Sequence, residues 1–119
     1  MANIRHLVLL GCMLCSTSGR AAVSEFHLEI RDHLFYPSRL EIPSGQKVKL
    51  IIHNYDDTPE EFESFALNRE KVIFANSQGY IFIGPLKPGE YEFSGEYNPN
   101  SARGVVVAVK SPREQSHAD

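Results

Sequence analysis

Apolar and polar residues alternate one by one along most of the chain from residue 23 onward. A period of two is typical of β-strands that bury one face against a core. The clearest alternating segments contain the apolar residues Phe26, Leu28 and Ile30, then Val48, Leu50 and Ile52, and finally Tyr91 and Phe93. Two shorter apolar sets have the same spacing, and they are Val72 with Phe74 and Ile81 with Ile83. The pattern predicts a protein built mainly from short strands.

Turn-forming residues separate these segments at positions 43–45, 56–59, 84–85 and 87–89. Residues 63–71 are the stretch whose composition allows a short helical turn. Several short strands at this spacing, in about 100 residues, predict an all-β fold of the sandwich or small-barrel type. The aromatic residues predicted to lie in its core are Phe26, Phe35, Phe62, Phe74, Phe82, Tyr91 and Phe93.

The first 22 residues have the composition of a secretory signal, which is removed from the mature protein. Arg5 supplies a basic start, residues 7–15 are apolar, and small residues at 16–22 allow cleavage near Gly19 or Ala22. The apolar run is too short to anchor the chain in a bilayer. A lipoprotein cleavage box at residues 9–12 is the less favoured alternative. The predicted organisation is a signal at 1–22, one β domain at 23–110 and a polar tail at 111–119.

Removal of this signal leaves an acidic chain without cysteine. Both cysteines, Cys12 and Cys15, lie in the signal, which excludes a disulfide, a thiolate nucleophile and a cysteine-zinc site from the mature domain. Of the 12 basic and 15 acidic residues only Arg5 and Arg20 precede residue 23, so the mature chain has a net charge of about −5. Such a charge disfavours nucleic acid and anionic membranes as partners. The sequence has no nucleophile elbow and no phosphate-binding loop, so an enzymatic role is not favoured.

Residues 89–104 read GEYEFSGEYNPNSARG, and an apolar strand follows at 105–109. This segment resembles the cupredoxins, and so do Phe35-x-Pro37, Leu40-x-Ile42-Pro43-x-Gly45-x-x-Val48, Asn54 and Pro85-Leu86-x-Pro88-Gly89. The resemblance covers nearly all of residues 25–110 and implies a Greek-key β-sandwich. A type 1 blue-copper centre needs a Cys sulfur and two imidazoles. Gly95 stands at the Cys position, and residues 97–101 contain neither His nor Met, so that centre is excluded.

Within the cupredoxins, residues 59–64 together with Arg69-Glu70-Lys71 resemble the cupredoxin-like proteins of bacterial ferrous-iron uptake systems. The resemblance implies a periplasmic accessory component that binds or hands over iron or copper, or assists iron oxidation. It also implies partners, namely an iron permease, a periplasmic metal-binding protein and a membrane ferredoxin-like component. Association with the membrane would then occur only through these partners.

The resemblance places Glu60 where copper-binding cupredoxins have their first His ligand. Alternation puts Glu60 on the same face as Phe62, so its carboxylate is expected to point toward the loop after Gly95. The residues predicted as a metal site are Glu60, Glu96, Asn98 and His33. An oxygen-rich site with one imidazole suits Fe(II), Fe(III) or Mn(II), and less selectively Cu(II).

Two simpler interpretations remain open. A salt bridge could satisfy Glu60, with the cation supplied by Arg69, Lys71 or Arg103. Alternatively, the chain is a metal-free interaction module that docks onto a basic partner through an acidic edge. The residues predicted for that docking role are Asp56, Asp57, Glu61, Glu63 and Tyr97. His27 and His53 fall on the polar face of their strands, where an imidazole is by default an ordinary surface side chain.

Overall fold

The computed structural model describes residues 22–112, which form nine strands. They are β1 (Ser24–Arg31), β2 (Leu34–Tyr36), β3 (Arg39–Pro43), β4 (Val48–Asn54), β5 (Glu60–Ser64), β6 (Arg69–Ile73), β7 (Ser77–Ile83), β8 (Gly89–Gly95) and β9 (Arg103–Val109). The predicted signal with Cys12 and Cys15, and most of the predicted tail with His117, lie outside the described residues. Within residues 22–112 no helix is long and apolar enough to cross a membrane.

The strands form two sheets that enclose one core. The four-stranded sheet has the order β2-β1-β4-β7, and the five-stranded sheet has the order β3-β9-β8-β5-β6. β1 pairs with β4 in parallel, and β3 pairs with β9 in parallel. The other neighbouring strands are antiparallel. The predicted all-β sandwich is confirmed.

Inward-facing residues of both sheets fill the core between them. The buried side chains include Leu28, Ile30, Val48, Leu50 and Ile52 from one sheet and Ile42, Phe62, Phe93 and Val106 from the other. Phe35 joins Phe62 and Phe93 in an aromatic cluster whose ring centroids lie 5.0 to 6.2 Å apart. Gly104 has no side chain because the Phe93 ring occupies the place where its Cβ would stand. The alternation predicted for β1, β4 and β8 is therefore confirmed.

The edge strand β6 differs from the sequence prediction, whereas β7 buries Ile81 and Ile83 as predicted and differs at Phe82. In β6 the buried residue is Ile73, so Val72 faces outward and Phe74 is 70% exposed. Phe82 also points outward, from β7. Residues 63–71 contain the end of β5, a turn and the start of β6 rather than a helical turn. Strand pairing decides which residues of an edge strand face the core, and a shift of one residue exchanges the two faces.

Candidate functional site

Three loops meet at the end of the sandwich where the residues predicted to bind metal lie. His33 is in the β1–β2 turn, Glu60 begins β5, and Asn98 is in the loop between β8 and β9. Glu60 is on the inward side of β5 together with Phe62 and Ser64, and all three are buried. The alternation predicted for β5 is thus confirmed. It brings a carboxyl group into the end of an apolar core.

The Glu60 side chain is 1% exposed and accepts hydrogen bonds from three N–H groups. Its Oε1 accepts from the backbone N–H groups of Glu61 and Tyr97, both at 2.9 Å. Its Oε2 accepts from Asn98 Nδ2 at 2.8 Å. Burial of a carboxylate is costly unless donors or cations replace its water. Here N–H groups replace that water, while Arg69 and Arg103 donate to backbone carbonyls elsewhere.

Gly95, the last residue of β8, makes room for the Glu60 carboxyl group. A Cβ built at Gly95 would lie 2.6 Å from Glu60 Cδ, 2.7 Å from Glu60 Oε2 and 2.8 Å from Ala102 Cβ. Non-bonded carbon atoms prefer a separation of about 3.5 to 4.0 Å. The carboxyl group therefore occupies the space that a side chain at position 95 would need. A cysteine at this position and a glutamate at position 60 exclude one another in this arrangement.

The His33 imidazole is presented by a turn with left-handed backbone conformation, since Asp32 has φ of 50° and His33 has φ of 60°. The Asp56 carboxylate holds this turn by accepting the backbone N–H groups of Asp32 at 2.8 Å and of His33 at 2.9 Å. His33 Nδ1 lies 3.3 Å from Asn98 Nδ2. The Asn98 amide thereby connects His33 to Glu60. Asp56, which was predicted as a docking residue, is occupied in holding this loop.

The His33, Asn98 and Glu60 side chains do not fit a copper or iron ion in this arrangement. Asn98 directs its N–H₂ group, which has no lone pair to give to a metal, at both neighbours. The Glu96 side chain does not join Glu60. The backbone N–H of Glu96 donates to the carbonyl of Glu61 at 2.8 Å, and the Glu96 carboxyl group is hydrogen-bonded to the Glu63 carboxyl group. In the described part of the chain, no three His, Cys, Asp or Glu side chains are grouped so as to hold a metal ion. The structure brings three of the four predicted residues together as a hydrogen-bonded network.

The outer surface of the five-stranded sheet is acidic around Glu63. Glu63 lies opposite Glu70 in the β5–β6 hairpin. Hydrogen bonding with the Glu96 carboxyl, followed by loss of hydration and by repulsion from Glu96, Glu70 and Glu61, raises the pKa of Glu63 to about 7. Carboxyl groups that crowd in this way cannot all be ionised without an energetic cost. We call Glu61, Glu63, Glu70 and Glu96 the acidic face.

An exposed phenyl ring lies next to the acidic face. Phe65, in the β5–β6 turn, is 90% exposed. An open cleft of about 430 Å³ lies between this turn and the neighbouring strands, and its lining includes Glu63, Phe65, Glu92 and Arg103.

Of the other predicted docking residues, Tyr97 is exposed in the β8–β9 loop and Asp57 is exposed in the β4–β5 loop. Sequence reasoning missed Glu70 and Phe65, because the β5–β6 hairpin was not recognised.

Asn54 is a further structural residue whose role the sequence reasoning missed. Its Nδ2 donates to the carbonyls of Thr58 at 2.8 Å and Ile73 at 3.2 Å, and its Oδ1 accepts the backbone N–H of Asp56 at 3.0 Å. Asn and Asp at the start of a loop commonly bind the backbone just beyond them. The position of Asn54 between a strand and a turn is the signal that identifies it. These bonds fix the loop that leads into Glu60.

Comparison with known proteins relates the sequence to one family. A sequence model of the cupredoxin-like domain matches residues 5–108. An uncharacterized protein of Rickettsia prowazekii (strain Madrid E) is 44% identical over 85 residues, which are 71% of this chain and 68% of the relative.

Several solved structures have the same fold. The metal-binding domain of the Cu(I)-exporting P-type ATPase of Streptococcus pneumoniae D39, with Cu(I), matches at a TM-score of 0.63 and 15% identity, over 78% of this chain and 92% of that one. Auracyanin B matches at a TM-score of 0.64 and 11% identity, over 76% of this chain and 92% of the auracyanin chain. A chain of a heme-copper terminal oxidase dimer matches at a TM-score of 0.61 and 18% identity. The match covers 72% of this chain and 65% of the oxidase chain, so this chain spans less than two thirds of the length of the oxidase chain. At these identities the similarity establishes the fold alone.

Proposed function

Because the chain belongs to the family of cupredoxin-like domains, we infer that it is a secreted accessory protein that keeps the sandwich and docks onto a basic partner. In this function the acidic face is the contact surface. The loop end of the sandwich is a rigid support whose buried carboxyl group is satisfied by the protein itself. The proposal therefore assigns the protein to the interaction modules rather than to the electron carriers.

The observation that carries this proposal is the arrangement of Glu60 over Gly95. The Glu60 carboxyl group fills the space beside β8 and accepts three N–H groups, so the end of the sandwich is closed without an ion. A domain with a closed loop end keeps its outer surfaces for contacts. Among these surfaces, the acidic face is where neighbouring carboxyl groups raise the pKa of Glu63 to about 7.

The chemistry of the acidic face suits the side chains of Lys or Arg. A cation placed between Glu63 and Glu96 would replace the proton that the two carboxyl groups compete for, and it would relieve their repulsion. Phe65 would add an apolar anchor beside these charges, since buried aromatic side chains dominate many interfaces. A partner with a basic segment next to an apolar pocket fits this combination.

The cellular setting is proposed from the resemblance of residues 59–64 and 69–71 to the iron-uptake proteins. We place the protein in the periplasm, beside an iron permease and a periplasmic metal-binding protein. The copper-exporter domain that shares this fold was solved with Cu(I), which makes a metal-handling system the setting we propose. In this setting the domain would assist the transfer of iron or copper by holding its partners together.

In-cell photo-crosslinking tests the docking proposal. A photoreactive phenylalanine analogue at Phe65 should crosslink to a basic partner, and the same analogue at the exposed Tyr80 on the opposite sheet is the matched control. The crosslink at Phe65 should disappear when Glu61, Glu63, Glu70 and Glu96 are replaced by Gln. It should persist in a chelator and in His33→Gln. A crosslink that survives the four replacements would refute docking through the acidic face, and a partner unrelated to metal uptake would refute the proposed setting.

Metal transfer at the loop end is the competing function. It is favoured by one observation, that the half-exposed His33 imidazole and the Glu60 carboxyl group are joined through a single amide. Titration with Fe(II), Cu(II) and Mn(II) under native mass spectrometry distinguishes the two functions. Stoichiometric binding that is lost in both Glu60→Gln and His33→Gln would support metal transfer and contradict the interaction module.

A further inference from the structure

Two imidazoles lie side by side on the outer face of the four-stranded sheet, which is the sheet opposite the acidic face. His27 is in β1 and His53 is in β4, and these strands are parallel neighbours. His27 Nδ1 lies 3.2 Å from His53 Nε2. The two rings are nearly parallel, with an interplanar angle of 20° and centroids 5.4 Å apart. Neither residue belongs to the network around Glu60.

We propose that His27 and His53 form a bis-imidazole site for a borderline divalent cation, with Cu(II) bound more tightly than Ni(II) or Zn(II). Imidazole nitrogen is a good ligand for these ions, and the order follows the general affinity series of the first-row metals. The site is independent of the proposed docking function, since it lies on the other sheet.

The separation of the two nitrogen atoms matches joint binding of one ion. Metal–nitrogen bonds to His are about 2.0 to 2.1 Å long, so two nitrogens 3.2 Å apart subtend an angle of about 100° at the metal. This angle lies between those of square-planar and tetrahedral sites. Joint binding requires a small adjustment of the side-chain torsions, so that both lone pairs point at the ion. The imidazole that donates in the metal-free pair then carries its proton on the other ring nitrogen, so no net proton is released from a neutral pair.

Neighbouring side chains hold His53 in place. The His53 ring stacks on the Tyr55 ring at 6.2 Å with an interplanar angle of 18°. The Arg31 guanidinium carbon lies 4.0 Å from the centroid of the Tyr55 ring, and Glu29 binds Arg31 at 2.9 Å. This stack lowers the conformational freedom that His53 would lose on binding an ion. Two imidazoles that already lie 3.2 Å apart should therefore bind an ion more tightly than two independent surface imidazoles.

The site has two protein ligands and therefore open coordination positions. No third His, Cys, Asp or Glu completes a cluster around the pair within residues 22–112. Water would fill the open positions, which makes the ion exchangeable rather than permanent. Such a site suits reversible capture of a cation.

The test is a Cu(II), Ni(II) and Zn(II) titration followed by calorimetry and, for Cu(II), by electron paramagnetic resonance. The protein is prepared with its cysteines alkylated and with His6→Gln and His117→Gln, so that His27, His33 and His53 are the remaining imidazoles. We expect one Cu(II) per chain with hyperfine coupling to two nitrogens. His27→Gln and His53→Gln should each weaken binding at least about tenfold and remove the two-nitrogen signal. His33→Gln is the matched control and should bind as the parent does.

Three results would overturn the proposal. One is the absence of a saturable Cu(II) site in the parent protein, and another is equal binding by the parent and His27→Gln. The third is loss of binding in His33→Gln with retention in His53→Gln, which would move the site to the loop end. Thermal unfolding gives an independent reading, since a cation that binds only the folded state must raise the Tm of the parent and not that of His53→Gln.

Discussion

At the scale of single residues, the Glu60 carboxyl group determines the structure of the loop end. A buried carboxylate without partners would unfold this end, but Glu61, Tyr97 and Asn98 supply three N–H groups at 2.8 to 2.9 Å. Two of these donors are backbone groups, so they are present whatever side chains occupy those positions. Gly95 is the complementary requirement, because only a residue without Cβ leaves space for the carboxyl group.

Replacement of Glu60 by Ala should destabilise the protein by about 2 to 4 kcal/mol. The substitution leaves three N–H groups without acceptors in a buried site and opens a cavity. Urea unfolding at neutral pH measures the change. Glu61→Ala is the control, since the neighbouring side chain points to the outer face. A loss in Glu60→Ala no larger than that in Glu61→Ala would show that the N–H groups find other acceptors.

Gly95→Ala should also destabilise the protein, by about 1 to 3 kcal/mol, because its Cβ would overlap Glu60 Cδ and Ala102 Cβ. A double-mutant cycle with Glu60→Ala tests the physical cause. When the carboxyl group is removed first, most of the overlap disappears, so the double variant should be more stable than the sum of the single changes predicts. Strict additivity would mean that Ala102, and not Glu60, opposes a side chain at position 95.

At the scale of strands, β5 presents its carboxyl groups to two different environments. Residues at even positions point into the core, where Glu60 is fully hydrogen-bonded, and Glu61 and Glu63 point to the outer face. The pairing of β5 with β6 then places Glu70 beside Glu63, and the β8–β9 loop adds Glu96. One strand therefore supplies both the closed loop end and the centre of the acidic face.

The pKa of Glu63 gives this hairpin a pH dependence with a definite sign. The folded state raises that pKa from its ordinary value of 4.5 to about 7, so the folded state binds the proton more tightly than the unfolded chain. The stabilisation is fully present below pH 4.5 and is lost as the pH rises to about 7. Glu63→Gln, which cannot titrate, should reduce the fall of Tm over this interval. Glu41→Gln, exposed on β3, is the control and should keep the parent slope.

Strand positions were predictable where a strand lies inside a sheet. β1, β4 and β8 each have strand neighbours on both sides, and their buried apolar residues recur at every second position, although Ile51 adds an apolar residue on the outer side of β4. At the end of the edge strand β6, Val72 and Ile73 are followed directly by Phe74, so the sequence does not show which of these apolar residues faces inward. The pairing with β5 selects Ile73. Edge strands cover less core, so their sequence carries a weaker period.

At the scale of the whole molecule, the two sheets present different chemistry to the solvent. The outer face of the four-stranded sheet carries basic side chains over aromatic rings, with Lys49 Nζ 4.4 Å from Tyr80 and Lys47 Nζ 4.6 Å from Phe82. The outer face of the five-stranded sheet carries the acidic face. On the four-stranded sheet Glu25 lies near Lys49 and Glu29 binds Arg31, so carboxylates and cations are paired there. The clustered carboxyl groups of the acidic face are therefore expected to direct a basic partner to the five-stranded sheet.

Association with the partner captured at Phe65 should therefore depend on salt. We expect the association rate constant to fall about tenfold or more between low and high ionic strength, because screening removes electrostatic steering. Stopped-flow or surface-binding kinetics measure this fall. Replacement of the four carboxyl groups of the acidic face by Gln should remove most of it, whereas Lys47→Gln with Lys49→Gln should not. A rate constant independent of salt would contradict charge-directed docking.

The sequence by itself determined the all-β sandwich, the absence of cysteine from residues 22–112 and the inward position of Glu60. Each of these depends on residue type or on a period of two within one strand. Tertiary structure decided how Glu60 is satisfied, which carboxyl groups crowd around Glu63 and which imidazoles meet. Glu60 and Asn98 are 38 residues apart, and His27 and His53 are 26 apart. Their contacts depend on strand order and register, which long-range packing sets and local patterns do not encode.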